Sequence, residues 1–282
     1  MCSSSLLFAF GLLLLATSTA VQSRGVSPKS EFGLYVTEAI DVPDLNRESY
    51  VSCVRQHRLP FWLGLKRSGT LQDSSTYELI SIYDSAPGVP HWNFLFVFHL
   101  TPGTTPQDYF QRTQSSRNES CEDLGRARIM RIEVLRPTHN SNYPRATSDD
   151  NRKAVESNVE YVVEYIAVRS TPEDLTAYRE IMSSSLGPAV GRVLIPKGMT
   201  FGLTALETAS VEYAAEGMPS WNQIHINATL PAHHLTAEER DAAIRHVNSK
   251  SGGNAQIAER LEAIRTKPRV DNVKQLYDLA VR

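Results

Sequence analysis

The chain carries one hexapeptide pattern twice. Gly88-Val89-Pro90-His91-Trp92-Asn93 returns as Gly217-Met218-Pro219-Ser220-Trp221-Asn222, so position 88 maps onto position 217 by a shift of 129. The same shift carries Pro43 onto Pro172, Gly69 onto Gly198, Glu78 onto Glu207 and Pro102 onto Pro231. Self-similarity at one spacing over most of a chain marks a tandem duplication. Two copies, each too small to enclose a large site, can enclose one between them. A length of 282 residues, 41% hydrophobic, suits one large or two small globular domains with ample core. The net charge of -2 comes from interspersed acids and bases. No basic stripe is left to neutralise phosphates, so nucleic acid is not an expected partner.

The first residues read as an address. Leu6 to Leu15 form a short apolar run, and Ser18 and Ala20 supply the small residues of a cleavage site, which predicts a signal peptide over residues 1–20. The run is short for a membrane span. A secreted or periplasmic protein is expected, with no membrane contact after cleavage. Cys53 and Cys121 would then sit in an oxidising compartment, where one disulfide or two buried thiols are both compatible with the sequence. Asn118-Glu119-Ser120 and Asn227-Ala228-Thr229 fit the glycosylation sequon.

The order of elements can be read from patterning. In the second copy Val159 to Val168 is Val-, Ile- and Tyr-rich without Gly or Pro and predicts a strand. Thr171-Pro172-Glu173-Asp174 caps a helix running toward Leu186. Strands follow at Met199 to Val211 and Trp221 to Leu230, then helices from Thr236 to Asn248 and from Asn254 to Arg265, with Val270 to Val281 as strand or helix. The first copy matches, with strands at Phe32 to Ile40, Thr76 to Tyr83, Trp92 to Leu100 and Arg128 to Leu135, and helices near Pro43 and at Thr105. The repeats span residues 31–136 and 157–282, and the polar stretch 137–156 reads as a linker.

The order β-α-β-β-α-β is that of a ferredoxin-like α+β unit, a sheet with helices on one face and the other face bare. A bare apolar face must be buried, and the second copy offers the matching face. In this the chain resembles the dimeric α+β barrel superfamily in its fused, two-copy form. The resemblance implies an α+β fold of two tandem ferredoxin-like repeats closing into an intramolecular pseudo-dimeric barrel. That superfamily includes cofactor-independent monooxygenases, polyketide cyclases, small lyases, haem-degrading and haem-containing enzymes, and NIPSNAP-type proteins. The fold does not choose among them.

Divergence between the copies suggests a site. Counting alternate positions along the third strand puts Trp221, Gln223, His225 and Asn227 on one face and Ile224, Ile226 and Ala228 on the other. The shift matches the first set to Trp92, Phe94, Phe96 and Phe98. If both rows face the barrel interior, they line a cavity apolar on one side and hydrogen-bonding on the other. His225 is then the candidate acid or base, since a neutral imidazole can take a proton from a phenol, enol or activated carbon. Glu164, in mid-strand, is the candidate partner, and the shift places Tyr35 at the matching position. Trp92, Phe94, Phe96, Phe98, Tyr35, Trp221 and Gln223 are the candidate substrate-binding residues. Against this stand plain structural roles: a hydrogen-bonded core histidine, Trp residues marking the entry to the third strand, Asn93 and Asn222 capping turns, and Glu78 and Glu207 paired with bases such as Arg192.

Several chemistries lack their signatures. There is no Gly-x-Ser-x-Gly elbow, Gly64 to Gly69 reads as a loop without the phosphate-binding lysine, and His233-His234 lacks zinc-helix spacing. No metal and no cofactor are expected, though non-covalent haem needs only one histidine and an apolar slot. Three functions follow: a cofactor-independent enzyme acting on a small aromatic or polyketide-like molecule, a non-catalytic ligand-binding or scaffold protein, and a haem-binding barrel. In the first two the expected partner is a small apolar or aromatic molecule, and oligomerisation is compatible with all three.

Overall fold

A computed structural model describes residues 33–117, 121, 123, 126–142, 159–186, 202–229 and 255–278. The expected signal peptide, Asn118, Arg192 and the helix expected from Thr236 to Asn248 lie outside these residues. The chain opens with strand β1 (Tyr35–Asp41) and a 3-10 turn at Asp44–Asn46. A helical run follows, comprising α1 (Arg47–Cys53), a π segment (Val54–Arg58) and α2 (Leu59–Arg67). Then come β2 (Leu71–Ser85), β3 (Phe94–Leu100), α3 (Pro106–Arg117) and β4 (Arg128–Asn142). The second half has β5 (Glu160–Val168), α4 (Pro172–Glu180) continuing into a π segment (Ile181–Leu186), and β6 (Gly202–Ala214). It ends with β7 (Gln223–Thr229), α5 (Ala255–Ile264) and β8 (Arg265–Asp278).

The local reasons are those in the sequence. Thr171 accepts a hydrogen bond from the Asp174 amide at 3.2 Å and starts α4, and Thr105 and Asp108 satisfy each other's backbone amides at the start of α3. The last stretch, open to strand or helix in the sequence, is strand and starts at Arg265. Two segments differ from expectation. β4 runs through Pro137 to Asn142, where a linker was expected, and a register shift between Pro137 and His139 accommodates the missing amide. Gly64 to Arg67 is the end of α2 rather than a loop.

All eight strands form one closed antiparallel barrel in the order β1-β3-β2-β8-β5-β7-β6-β4. The first four run β4-β1-β3-β2 and the last four β8-β5-β7-β6, joined edge to edge by β2 with β8 and β4 with β6. Closure leaves no open sheet edge. The barrel interior is one apolar cluster drawn from both halves, including Leu95, Val97, Trp92, Tyr165, Trp221, Ile224 and Ile226. Outside the barrel, α1, α2 and α3 cover the first sheet and α4 and α5 the second, each with its own apolar layer. β2 and β6 run on past the core and expose Ile80, Ile82, Tyr83, Val211 and Tyr213.

Most letters of the repeated hexapeptide have a structural job. Gly88 and Gly217 adopt φ of 78° and 80°, the left-handed turn conformation that favours glycine. Asn93 accepts from the Val42 amide at 2.9 Å and donates to the Val42 carbonyl at 2.6 Å, and Asn222 does the same with Val168 at 2.9 and 2.8 Å. The asparagines therefore clamp the ends of β1 and β5. Arg269, on β8, lies over the Trp92 ring at 3.7 Å and donates to the Pro90 and Trp92 carbonyls. Arg131, on β4, lies over Trp221 at 3.9 Å and donates to the Pro219 and Trp221 carbonyls. Each arginine also holds an acid, Asp271 at 2.6 Å and Glu133 at 3.0 Å. The two indoles meet at 5.6 Å.

Cys53 and Cys121 form a disulfide, tying the end of α1 to the segment after α3. Closing a loop of 68 residues restricts the unfolded chain. We predict that Cys53→Ser with Cys121→Ser lowers stability by about 2–5 kcal/mol in urea unfolding; an unchanged midpoint would contradict the bridge. Arg269→Met should cost about 3–5 kcal/mol, because it leaves Asp271 buried without its cation. Adding Asp271→Leu should restore much of that loss, and if the double variant is as unstable as the single one, the ion pair is not the cause.

Candidate functional site

The third strands face opposite to expectation. Phe94, Phe96 and Phe98 point away from the barrel interior into the helix layer of the first half, where Trp62 meets Phe96 and Phe98, Tyr50 meets Phe94 and Tyr109 meets Phe98. His225 likewise faces the helix layer of the second half, while Ile224 and Ile226 point inward. The cause is a break in alternation: β3 and β7 begin at Phe94 and Gln223, so Trp92 and Trp221 precede the strands and turn inward independently of their parity. The expected cavity of an aromatic wall facing a polar row is therefore not formed. Trp92 donates to the Tyr165 hydroxyl at 3.0 Å and Trp221 to Glu133 at 2.8 Å, inside the barrel.

A second offset lies in the first strands of the halves. Glu38 pairs with Phe96 and Glu164 with His225, so Glu164 corresponds to Glu38, and from position 38 to position 164 the shift is 126. The expected match of Glu164 with Tyr35 is corrected accordingly: three extra residues enter the second copy between β5 and α4, and a shift counted from the hexapeptide cannot see them. Tyr35 stacks on His99 inside the barrel with ring centroids 4.2 Å apart, and burial with nearby Asp73 pushes its hydroxyl pKa up.

The sheet does bring Glu164 and His225 together. They are cross-strand neighbours on β5 and β7, with the His225 Nδ1 3.6 Å from the carboxylate. The Tyr178 hydroxyl, reaching down from α4, lies 2.8 Å from His225 Nε2. Lys267 on β8 pairs with the other Glu164 oxygen. An ionised Glu164 can only accept, which places the ring proton on Nδ1 and makes Nε2 the acceptor of the Tyr178 hydroxyl. Burial pushes the Glu164 carboxyl up, but the His225 ring and the Lys267 ammonium outweigh it and hold it at about 2. Burial keeps His225 neutral by lowering its pKa against the pull of Glu164. Burial likewise raises the Tyr178 hydroxyl.

Gln223 stands two residues before His225 on the same side of β7, fully buried. Glu207, across from it on β6, is held by Arg179 through two bonds of 2.6 Å and by Arg136 at 3.4 Å, in place of the expected Arg192. Glu78 pairs with Lys274 at 2.9 Å. Asn227, the sequon residue, sits within β7, paired in register with Val162 and Leu203. Tyr178 and Lys267 were not singled out from the sequence. The stripe Leu175, Tyr178, Met182 at helical spacing marks Tyr178 as facing the sheet, whereas nothing local marks Lys267. Among the described residues no group of three or more His, Cys, Asp or Glu side chains is placed to hold a metal ion. None of their helices is long and apolar enough to cross a membrane.

No protein-family model matches the sequence, and no curated protein matches it significantly. Among solved structures, an anthrone oxidase-like protein is similar at TM-score 0.48 and 11% identity, covering 89% of this chain and 94% of its own. A dye-decolorizing protein from V. cholerae gives 0.47 and 11%, covering 87% and 94%. A mutant chlorite dismutase from Candidatus Nitrospira defluvii gives 0.45 and 14%, covering 87% and 92%. Likenesses of this size carry no statement about activity. The architecture itself is an α+β chain with a closed eight-stranded antiparallel barrel and helices outside it.

The cluster makes stability pH-dependent in a fixed direction. Glu164 ionises below its ordinary 4.5, so its stabilisation is present above that value and is lost as pH falls toward about 2. His225 is held below its ordinary 6.5, so the unfolded chain takes up a proton first and stability declines from about 6.5 downward. Urea midpoints measured against pH should therefore fall in two stages. Glu164→Gln should remove the lower stage, roughly 3 kcal/mol, and His225→Gln the upper. If both variants keep the wild-type profile, the cluster is not what titrates.

Proposed function

We propose that the chain is an exported, small-molecule-binding α+β barrel protein made of two fused ferredoxin-like copies, and that it acts as a cofactor-independent enzyme with His225 as its acid or base. The substrate class is a small aromatic or polyketide-like compound, turned over by chemistry of the monooxygenase, cyclase or lyase type. One observation carries this reading: where the first half seals its helix layer with Phe94, Phe96 and Phe98, the second half places Gln223, a neutral His225 oriented by Glu164, and Tyr178. Nε2 would take a proton from a phenol, enol or activated carbon, directly or through the Tyr178 hydroxyl. Glu164 would hold Nδ1–H and stabilise the imidazolium that forms. The disulfide supports export, since such bonds persist in oxidising compartments.

Haem does not fit His225 as it stands, because Nε2 is taken by Tyr178 and Nδ1 faces Glu164. A second reading, a non-catalytic binding or scaffold protein, draws on the barrel interior, where Leu95, Val97, Ile224 and Ile226 join Trp92, Tyr165 and Trp221 in one cluster.

Mass spectrometry of small molecules co-purifying with the mature protein would identify the substrate. His225→Ala should then lower turnover by about 10²–10⁴-fold, with Tyr178→Phe intermediate. Full turnover by His225→Ala would leave the scaffold reading standing.

A further inference from the structure

In the same helix layer, Gln223 has no exposed surface, and among the described residues neither its Nε2 nor its Oε1 has a hydrogen-bond partner. The Gln223 amide lies near enough to the Glu207 carboxylate to help hold its pKa low, and that carboxylate is already occupied by Arg179. A buried amide with both ends idle is costly, and buried polar groups are almost always satisfied. The matching position in the first half is Phe94, packed on Tyr50. Gln223 is thus a polar group placed where the shared scaffold accepts an apolar one, on the same side of β7 as His225.

We infer that Gln223 recognises the ligand, through an edge on which a hydrogen-bond donor and acceptor stand side by side, as in a lactam, a primary amide or an enolised carbonyl. This rests on the proposed function, since it assigns the substrate class of that site. An amide side chain offers one acceptor and two donors, so a neutral cis-amide edge satisfies it in a paired bond. The layer has an edge at solvent, where the Glu164 and Lys267 side chains are 19% and 35% exposed.

The test uses the full mature chain, with 2-pyridone as probe and N-methyl-2-pyridone, which keeps the acceptor and lacks the donor, as comparator. Calorimetric titration of the wild type should show 2-pyridone binding at least about tenfold tighter than its N-methyl form. Gln223→Met should remove that preference while its thermal midpoint is unchanged or higher, which shows that the variant folds. His225→Ala should keep the preference and lose turnover, so the two ideas fail separately. Equal binding of both probes to the wild type, no binding of either at millimolar concentration, or an undiminished preference in Gln223→Met would overturn the assignment.

Discussion

Two guanidinium groups cross from one half of the chain to the other, and the barrel depends on them. Arg131 leaves β4 to sit on Trp221, and Arg269 leaves β8 to sit on Trp92, both almost wholly buried. Removing such a charge from water costs several kcal/mol, which is recovered only when every side of the ion is occupied. Here an indole face, two carbonyls and a carboxylate meet each one, and only the Arg131 Nε is left without a hydrogen-bond partner among the described residues. Each arginine's own strand supplies the carboxylate, but the indole and the carbonyls belong to the other half. The latch therefore couples barrel closure to strand pairing, and it explains why Pro and Trp persist together in both copies of the motif.

That shared frame frees the helix layers to differ. The latches and the Asn clamps hold β1, β3, β5 and β7 in place without using the outward side chains of β3 and β7. In the first half those positions hold three phenylalanines against Trp62, Tyr50 and Tyr109, and the disulfide locks the helices that cover them. In the second, the same scaffold carries Gln223 and His225, and Tyr178, Glu164 and Lys267 gather around the imidazole. A low dielectric strengthens this group and makes any unpaired member expensive. The polar layer is tolerable because the charged members hold each other.

Much of the fold was legible. Duplication, element order and the capping boxes at Thr105 and Thr171 are local signals, and they led to a closed α+β barrel. The pairing of Glu164 with His225 was also within reach, because both were singled out and both stand in mid-strand. The direction of that pair was not. Alternation was counted from Trp92 and Trp221, and the chain turns between those residues and the strands that follow. A one-residue change in where a strand begins exchanges its two faces. In the same way, three residues inserted between β5 and α4 displaced Glu164 from Glu38 in a count anchored on the hexapeptide.

The sequence by itself determined what short-range physics can specify: where strands and helices form, that one hexapeptide pattern occurs twice, and that the segments following it diverge after Asn93 and Asn222. Only the tertiary structure decided which way that divergence points. The barrel interior took the indoles and the aliphatic residues because the crossing arginines required indole faces there, and the phenylalanines and His225 were left to the helix layers. Contacts such as Tyr178 and Lys267 with His225 and Glu164 join residues from four separate elements, and no spacing along the chain encodes them.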